Sequence, residues 1–444
     1  MPQQRLFVSD AFAVLQDAFV TAVQTIETAD PLAPLTVLVP TDCLVQHLLR
    51  VVSRTGHGHP GLHIFTLPEF AREIAERALA QEGQQPLPPL TALWIAKKLL
   101  REAETNNYFA PLATQPGFPR DLLATITDLK QAEVRPHDLQ RFADRAHLKG
   151  TYQHKIESLS VLYARYARFL TEQRLYDDAD LLERAAVLRA AHSGTSPLIL
   201  YGFSEFTSRQ RRVIAAALRE RDVLAFFPWR AGSAYEYATP ALAWLTSLGL
   251  RSTPLFVRER PQTDLARVQA RLFEEGALRS APTRDRSVTL ISTPNESREA
   301  REIGRAILEL VREQDLRFDE IAVLLRDTMK GPLMAETLAG FGIPCVLSNG
   351  ASLSQTQAGQ SLLLLCQMLA EDYARPRVLE FLKNADPPFL TLLGELAAFA
   401  RPAQWEALSL EAGIVRGAEE WRERLSRLAA DRRQRTVDDG EDTG

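Results

Sequence analysis

Cysteine is scarce in this sequence: Cys43, Cys345 and Cys366 stand far apart among 444 residues. That spacing excludes the CxxC and CxxxC pairs that hold zinc or an iron–sulfur cluster, and three lone thiols fit a reducing compartment. Long apolar runs are missing as well. The most apolar stretch, Leu362 to Met368, falls far short of the roughly 18 residues a membrane helix needs. The opening MPQQRLFVSDAFAV has one Arg and no apolar core of signal-peptide length. The sequence therefore predicts a cytoplasmic protein with no membrane contact. Neither sign of charge dominates: 52 Lys+Arg against 56 Asp+Glu leaves a formal net charge of −4. No global field draws in nucleic acid, so any such contact must use local basic strips. The remaining composition, 45% hydrophobic and 24% charged, is that of a globular chain and excludes a wholly disordered or collagen-like one. At roughly 150 residues per domain the length suffices for two or three cores.

Two regions alternate short β-branched runs with helical periodicity. The first opens with a helix predicted from Asp10 to Thr28, then the run Thr36-Val37-Leu38-Val39 ended by Pro40, a buried strand feeding a helix capped by Thr41 or Asp42. A second strand, Leu62 to Thr66, precedes a helix from Pro68 to Ala80. From about Leu87 the strand signals vanish, and amphipathic helices are predicted over 93–103, 121–132, 137–147, 152–173 and 180–190. A helical excursion inside an α/β pattern reads as an inserted subdomain, about 87–190. The pattern resumes with the strand Leu198 to Tyr201, a helix over 208–219 and the strand Val223 to Phe227. After a connector at 256–286, a second α/β unit is predicted, with strands at 288–292, 320–325 and 344–347 and helices at 296–312, 334–340 and 357–369. The expected divisions are thus 1–255, 256–286, 287–371, a helical segment 372–430, and a tail 431–444 whose lack of an apolar face predicts disorder.

This layout, two α/β units with a helical insertion in the first, is similar to that of superfamily 1 helicases. An active motor of that kind needs a Gly-rich loop with GK[ST] to cradle phosphates and hold magnesium. No GKS or GKT occurs in the sequence. It also needs an Asp-Glu pair closing a second strand, with a Gln about nine positions on. Here the strand reads Leu198-Ile199-Leu200-Tyr201-Gly202-Phe203-Ser204-Glu205-Phe206-Thr207-Ser208-Arg209-Gln210: the closing Gln210 fits, but Tyr201 and Gly202 stand in the carboxylate positions. Neither side chain binds magnesium or accepts a proton from water.

That combination resembles the AddB/RexB-type subunits of bacterial helicase–nuclease complexes, whose UvrD-like helicase region is degenerate. The resemblance rests on VLVPT at 37–41, FTLPEFAREIAERAL at 65–79, KIESLSVLYARYARFLTEQRLYDDADLLERA at 155–185 and LILYGFSEFTSRQ at 198–210. It continues with STPNESREAREIGRAI at 292–307, IAVLLRD at 321–327 and FGIPCVLSNGASLSQT at 341–356. It implies two RecA-like (P-loop NTPase-type) parallel-sheet units, the second incomplete, and a DNA-binding module without ATPase activity that serves double-strand break repair and recombination. The implied partners are a single- or double-stranded DNA end and an AddA-like subunit. No cofactor is expected in this chain: ATP and magnesium belong to the partner motor, and divalent metal to the PD-(D/E)XK nuclease that the family carries beyond the region matched here. The alternatives are an N-terminal fragment of an active helicase/exodeoxyribonuclease, or a scaffold without DNA contact.

The resemblance also implies roles for particular residues. Thr41, Thr66 and Leu67 lie at strand ends where active relatives touch single-stranded DNA, and ligands of open α/β sheets in general sit at the carboxyl ends of strands. Arg326 matches an arginine that reaches nucleotide phosphates; without its partners the simpler expectation is a structural ion pair. Aromatic and basic residues interleave at Tyr152, Lys155, Tyr163, Arg165, Tyr166 and Arg168, a pattern that suits base stacking with phosphate neutralisation, against the simpler expectation that both inner tyrosines face the core. Arg209, Arg211 and Arg212 form a second strip that reads as an exposed helix face. Glu296 and Glu299 suit the first turn of a helix whatever the function. His57, His59 and His63 have a spacing that zinc tolerates but sit among Gly and Pro as in a loop. Asp177, Asp178 and Asp180 suit either magnesium or a helix N-cap.

Overall fold

The runs at 35–39 and 198–201 are apolar at nearly every position because both faces of their strands are covered. In the computed structural model they lie side by side in a parallel sheet. The structure describes residues 4–54, 60–103, 106–191, 196–219, 221–256, 262–274, 285–348, 350, 353–384 and 402–441. The chain divides into two compact units, Met1–Val288 and Thr289–Gly444.

The strands of the first unit are β1 (Gln4–Ser9), β2 (Leu35–Val39), β3 (Leu62–Thr66), a short pair β4 (Gln85–Pro86) and β5 (Leu175–Tyr176), then β6 (Leu198–Tyr201), β7 (Val223–Pro228) and β8 (Arg251–Pro254). Six of them form one all-parallel sheet in the order β3-β2-β6-β7-β1-β8. The sequence pattern did not announce β1 or β8. β1 runs directly into the helix α1 (Phe12–Ala29), and β8 has no large apolar side chain in its Arg-Ser-Thr-Pro and lies exposed at the sheet edge.

Alternation along the strands makes two cores. Leu35, Val37, Val39, Ile199, Tyr201 and Phe226 face α1 and α2 (Asp42–Arg54). Leu38, Leu198, Leu200, Val223, Ala225 and Phe227 face the opposite side, covered by α3 (Leu67–Gln81) and by two helices further along the chain. The helices after α3 are α4 (Pro89–Arg101), α5 (Phe118–Gln131), α6 (Pro136–Arg145) and α7 (Thr151–Glu172), followed by α8 (Asp178–Ala191), α9 (Ser208–Ala217), α10 (Thr239–Ser247) and α11 (Asp264–Arg271). Helices α8 and α9 complete the second core.

Helices α4 to α7 enclose a core of their own, built on Ile95, Leu99, Leu122, Ile126, Leu162 and Tyr166. The insertion closes earlier than the predicted 190, because Gln85 pairs with Leu175 and Pro86 with Tyr176, bringing its two ends together at β4 and β5. Helix α8 packs on α3 and α9 and so belongs to the sheet-bearing body. Adjacent strands β2 and β6 send their following helices, α2 and α9, to opposite faces. That reversal is a topological switch point, and open α/β sheets in general receive ligands at the carboxyl ends of the strands beside one.

In the second unit the helices are α12 (Glu296–Gln314), α13 (Gly331–Gly340), α14 (Gln357–Ala370), α15 (Arg375–Asn384), α16 (Pro402–Glu411) and α17 (Ala418–Glu441). α12 and α13 pack through Ala300, Ile307, Met334 and Leu338, and Gly304 lets the Phe341 ring come so close that a Cβ would stand 2.8 Å from it. The helices fall where the periodicity puts them. The three predicted strands do not form: 288–292, 321–325 and 344–347 join no ladder among the described residues. An apolar run becomes a strand only when a neighbour accepts its backbone hydrogen bonds, and here Leu290, Leu324 and Val346 are each more than 90% exposed. The segments 321–325 and 343–347 line an open cavity of about 1350 Å³. Among the described residues of the second unit, the predicted RecA-like sheet is therefore not formed. Helix α17 runs on through 431–441, where the sequence predicts disorder. No described helix is long and apolar enough to cross a membrane.

Candidate nucleic-acid interface

One side of the switch point is the end of β6. Tyr201 turns its ring into the core, 5.2 Å from Phe19 and 6.0 Å from Phe226, with 4% of the residue exposed. Burial pushes its phenol above the ordinary value. Gly202 follows with φ +76°, donating its N–H to the Phe226 carbonyl at 3.0 Å. A Cβ at 202 would stand 3.0 Å from Leu44 Cδ1 at the start of α2. Positions 201 and 202 thus hold a core aromatic and a left-handed turn. Nine residues after Tyr201, Gln210 serves the backbone: Thr207 N–H donates to Gln210 Oε1 at 3.0 Å and Gln210 N–H to Thr207 Oγ1 at 3.3 Å. This is the reciprocal capping box of T-x-x-Q, a pattern legible in Thr207-Ser208-Arg209-Gln210 itself.

Thr41 stands exposed at the end of β2, its carbonyl accepting from the N–H groups of Leu44 and Val45 as α2 begins. Thr66 ends β3 beside Val39 of β2, so the three predicted strand-end residues do share one edge of the sheet. Thr66 is buried, however. Its N–H and hydroxyl both donate to Glu69 Oε2, at 2.8 and 2.9 Å, and Leu67 is 2% exposed. Among the three, Thr41 alone presents its side chain to solvent.

The interleaved strip on α7 separates by helical phase. Tyr152, Lys155 and Arg168 are exposed, and Arg165 donates to the Glu102 carbonyl at 3.3 Å. Tyr163 and Tyr166 are core residues, 4% and 2% exposed. Tyr163 donates its hydroxyl to the Val134 carbonyl at 3.1 Å, and burial pushes its phenol up to about 12. Base stacking on these two rings is thereby corrected: their 3-residue spacing puts them on the face turned toward α5 and α6.

Beneath them lies a residue the sequence reading missed. Lys130, 5% exposed, places Nζ 2.6 Å from Asp177 Oδ2 and 2.8 Å from Asp180 Oδ2, with the Tyr166 ring 6.0 Å away. Asp177 Oδ1 also accepts from the N–H groups of Ala179 and Asp180, both at 3.1 Å, as the N-cap of α8. Burial pushes the Asp180 carboxyl above its ordinary value although Lys130 pulls the other way. The signal for Lys130 was its place four residues beyond Ile126 and eight beyond Leu122, on the buried stripe of α5.

The arginines of α9 join the same seam. Arg209 donates to the carbonyls of Lys130 (2.5 Å) and Ala179 (2.9 Å) and to Glu183 Oε2 (2.6 Å). Arg212 pairs with Glu133 at 2.8 Å, and the Arg211 guanidinium lies 5.4 Å from the centre of the Trp244 ring. Of the expected solvated face, Arg209 and Arg212 instead tie the insertion to the body, while Arg211 packs on Trp244 within the body. A polar cleft of about 320 Å³ opens there, lined by Arg135, His137, Arg209 and Arg212 and by Glu133, Asp138 and Glu183, so its charges are mixed.

Elsewhere, Arg326 is exposed in the second unit and has no ion-pair partner among the described residues, so the expected structural pair is not made. Glu296 and Glu299 occupy the first turn of α12, whose N-cap Asn295 accepts from Arg298 N–H at 2.9 Å, and Glu296 also pairs with Lys330. His63 is exposed on β3 against the Phe65 ring, while His57 and His59 lie outside the described residues. Among the described residues no group of three or more His, Cys, Asp or Glu could hold a metal ion.

These features define a class: an α/β protein built on a six-stranded parallel sheet and interrupted by a helical subdomain, with Tyr201 and Gly202 at the end of a central strand. Comparison with known proteins narrows it. Residues 17–224 match the family model described as ADDB, N-terminal. The chain is 26% identical over 403 residues to the B subunit of the ATP-dependent helicase/deoxyribonuclease of Moorella thermoacetica, covering 82% of this chain and 34% of that protein. The proteins of the same name from Symbiobacterium thermophilum and Bacillus subtilis are 27% and 22% identical, over 70% and 64% of this chain and 30% and 27% of their own lengths. The chain is thus similar to AddB-type subunits, with the family model matching residues 17–224, and it spans about a third of the length of the curated relatives it matches.

Proposed function

We propose that this chain is the helicase-like module of an AddB-like helicase/deoxyribonuclease component, holding a DNA strand beside an AddA-like motor without hydrolysing ATP, in double-strand break repair and recombination. The observation that carries the non-hydrolytic part is the substitution of a buried Tyr201 and a left-handed Gly202 where magnesium-binding carboxylates stand in active motors. Phosphoryl transfer depends on positioned metal and charge, and neither side chain supplies any. ATP and magnesium are assigned to the partner, and divalent-metal nuclease chemistry to the part of the relatives that this chain does not span. The DNA-holding part rests on the switch point between β2 and β6, where Thr41 is exposed, and on the cations Lys155, Arg165 and Arg168 of α7. Thr66 and Leu67 shape the neighbouring strand end. The relatives' names supply the class of substrate, DNA.

Fluorescence anisotropy of a labelled oligodeoxynucleotide, titrated with purified protein across a salt series, tests the reading. Phosphate contacts predict binding that weakens steeply as salt rises. A protein that only scaffolds its partner binds no DNA at any salt.

A further inference from the structure

The insertion carries a face that neither the core nor the seam uses. On α4, Leu90, Trp94, Lys97, Lys98 and Arg101 recur at helical spacing on one side, and Leu90 is 82% and Trp94 52% exposed. Large apolar side chains left this open on a helix that otherwise buries Ile95, Ala96, Leu99 and Leu100 mark a surface rather than a packing error. The Trp94 ring is not loose. It meets Phe169 of α7 edge-on, 6.3 Å between centres at 61°, and Lys98 Nζ lies 5.3 Å from its centre and 5.6 Å from that of Phe169. An aromatic residue held by a neighbouring ring yet exposed to solvent, with cations beside it, is the arrangement that stacks a nucleobase.

The surrounding charge selects the same occupant. Lys97 and Arg101 flank Trp94 on α4, and Arg165 and Arg168 flank Phe169 on α7. With Lys98 that makes five cations, against the two carboxylates Glu102 and Glu172 on the same face. Glu102 is partly offset by Lys98 at 3.9 Å. In a chain of net charge −4 such a strip is a local exception. Hydrogen bonding adds no sequence readout here, since the ring and the cations take any base.

We propose that the α4–α7 face is a stacking platform for single-stranded DNA, with Trp94 stacking one base on the ring face turned away from Lys98 while Lys97, Arg101 and Arg168 neutralise the flanking phosphates. The proposal rests on the DNA-holding reading above and locates its aromatic contact, which the buried Tyr163 and Tyr166 do not provide. It also predicts preference for single strands, because a base inside a duplex already has both faces covered by its stacked neighbours.

The test is anisotropy of labelled oligo(dT) and of a duplex of equal length with the full chain and three variants. For the parent, oligo(dT) binds more tightly than duplex. Trp94→Ala weakens oligo(dT) binding about ten-fold, and Trp94→Phe, which keeps both the plate and the contact with Phe169, retains most of it. Lys97→Ala, at an exposed position without packing consequences, lowers the salt slope by about 0.7. Photocrosslinking of the unaltered protein to 5-iododeoxyuridine oligomers, mapped by mass spectrometry, reads the site independently of folding, with the adduct expected on Trp94. If the parent binds oligo(dT) but Trp94→Ala binds equally well and the adduct lies outside α4 and α7, the platform is overturned and the DNA-holding reading stands. If the parent binds no oligo(dT) even at low salt, both fall.

Discussion

Lys130 Nζ lies 2.6 Å from Asp177 Oδ2, joining a lysine of the helical insertion to the cap of the helix that returns the chain to the sheet. With Asp180 at 2.8 Å, one ammonium serves two carboxylates in a place where water does not reach the lysine. Removing it leaves two half-buried acids side by side without their cation, with side chains 19% and 35% exposed, so the cost falls below the roughly 3–5 kcal/mol of a fully buried pair. Lys130→Ala is therefore expected to lower the thermal midpoint. Lys130→Met combined with Asp177→Asn and Asp180→Asn should recover most of that loss, since no charge remains and Asn still caps α8. Thermal denaturation of both variants checks this, and equal destabilisation of the two would contradict it.

The neighbouring tie between Arg209 and Glu183 supplies a pH dependence. Burial raises the Glu183 carboxyl, but the hydrogen bond and charge of Arg209 outweigh it and hold the group below its ordinary value of 4.5. A depressed folded-state value means that the stabilisation is fully present above 4.5 and is lost as pH falls through the folded-state value. The midpoint difference between the parent and Glu183→Gln should accordingly be largest above pH 4.5 and should close on acidification. A difference that widens in acid would reverse the assigned sign.

Placing the Asp-Glu pair of active motors at 201 and 202 should not create a motor. Tyr201→Asp empties a space filled against Phe19 and Phe226 and puts a charge there, at a cost of roughly 3–5 kcal/mol for the volume alone. Gly202→Glu forces a side chain into φ +76° against Leu44, a further cost of about 1–2 kcal/mol for the backbone alone. The prediction is lower stability by denaturant titration with no gain in ATP hydrolysis.

The buried tyrosines separate core from interface. Tyr163→Phe loses one hydrogen bond, to the Val134 carbonyl, and is expected to cost about 0.5–1.5 kcal/mol in stability while leaving oligo(dT) affinity unchanged. A ten-fold loss of affinity would return Tyr163 to the binding surface.

How much of this was legible in the sequence depended on whether a residue's neighbours were local. β2, β3 and β6 could be read because their apolar runs end in Pro40, at Thr66 and at Gly202, and their helices follow at short range. The insertion could be read from periodicity alone, and so could the helices of the second unit. The strands predicted at 288–292, 320–325 and 344–347 could not be judged, because a ladder needs a partner that periodicity does not name. The site followed the same rule. Tyr201 and Gly202 were recognisable by what they replace, and Gln210 by its spacing, but Gln210's work as a cap was overlooked beside the motif. Lys130 was passed over because a lysine on an apolar stripe looks like an interruption until the acids 47 and 50 residues later are brought to it.

Engaging DNA without turning over ATP is what would set this AddB-like region apart from a motor. The decisive measurement is the steady-state ATP hydrolysis rate of the purified chain, with magnesium and with saturating single-stranded DNA. The predicted rate equals the protein-free background with and without DNA. DNA-stimulated hydrolysis by the chain alone would contradict this, because it would require a metal-binding and water-activating site that Tyr201 and Gly202 do not form.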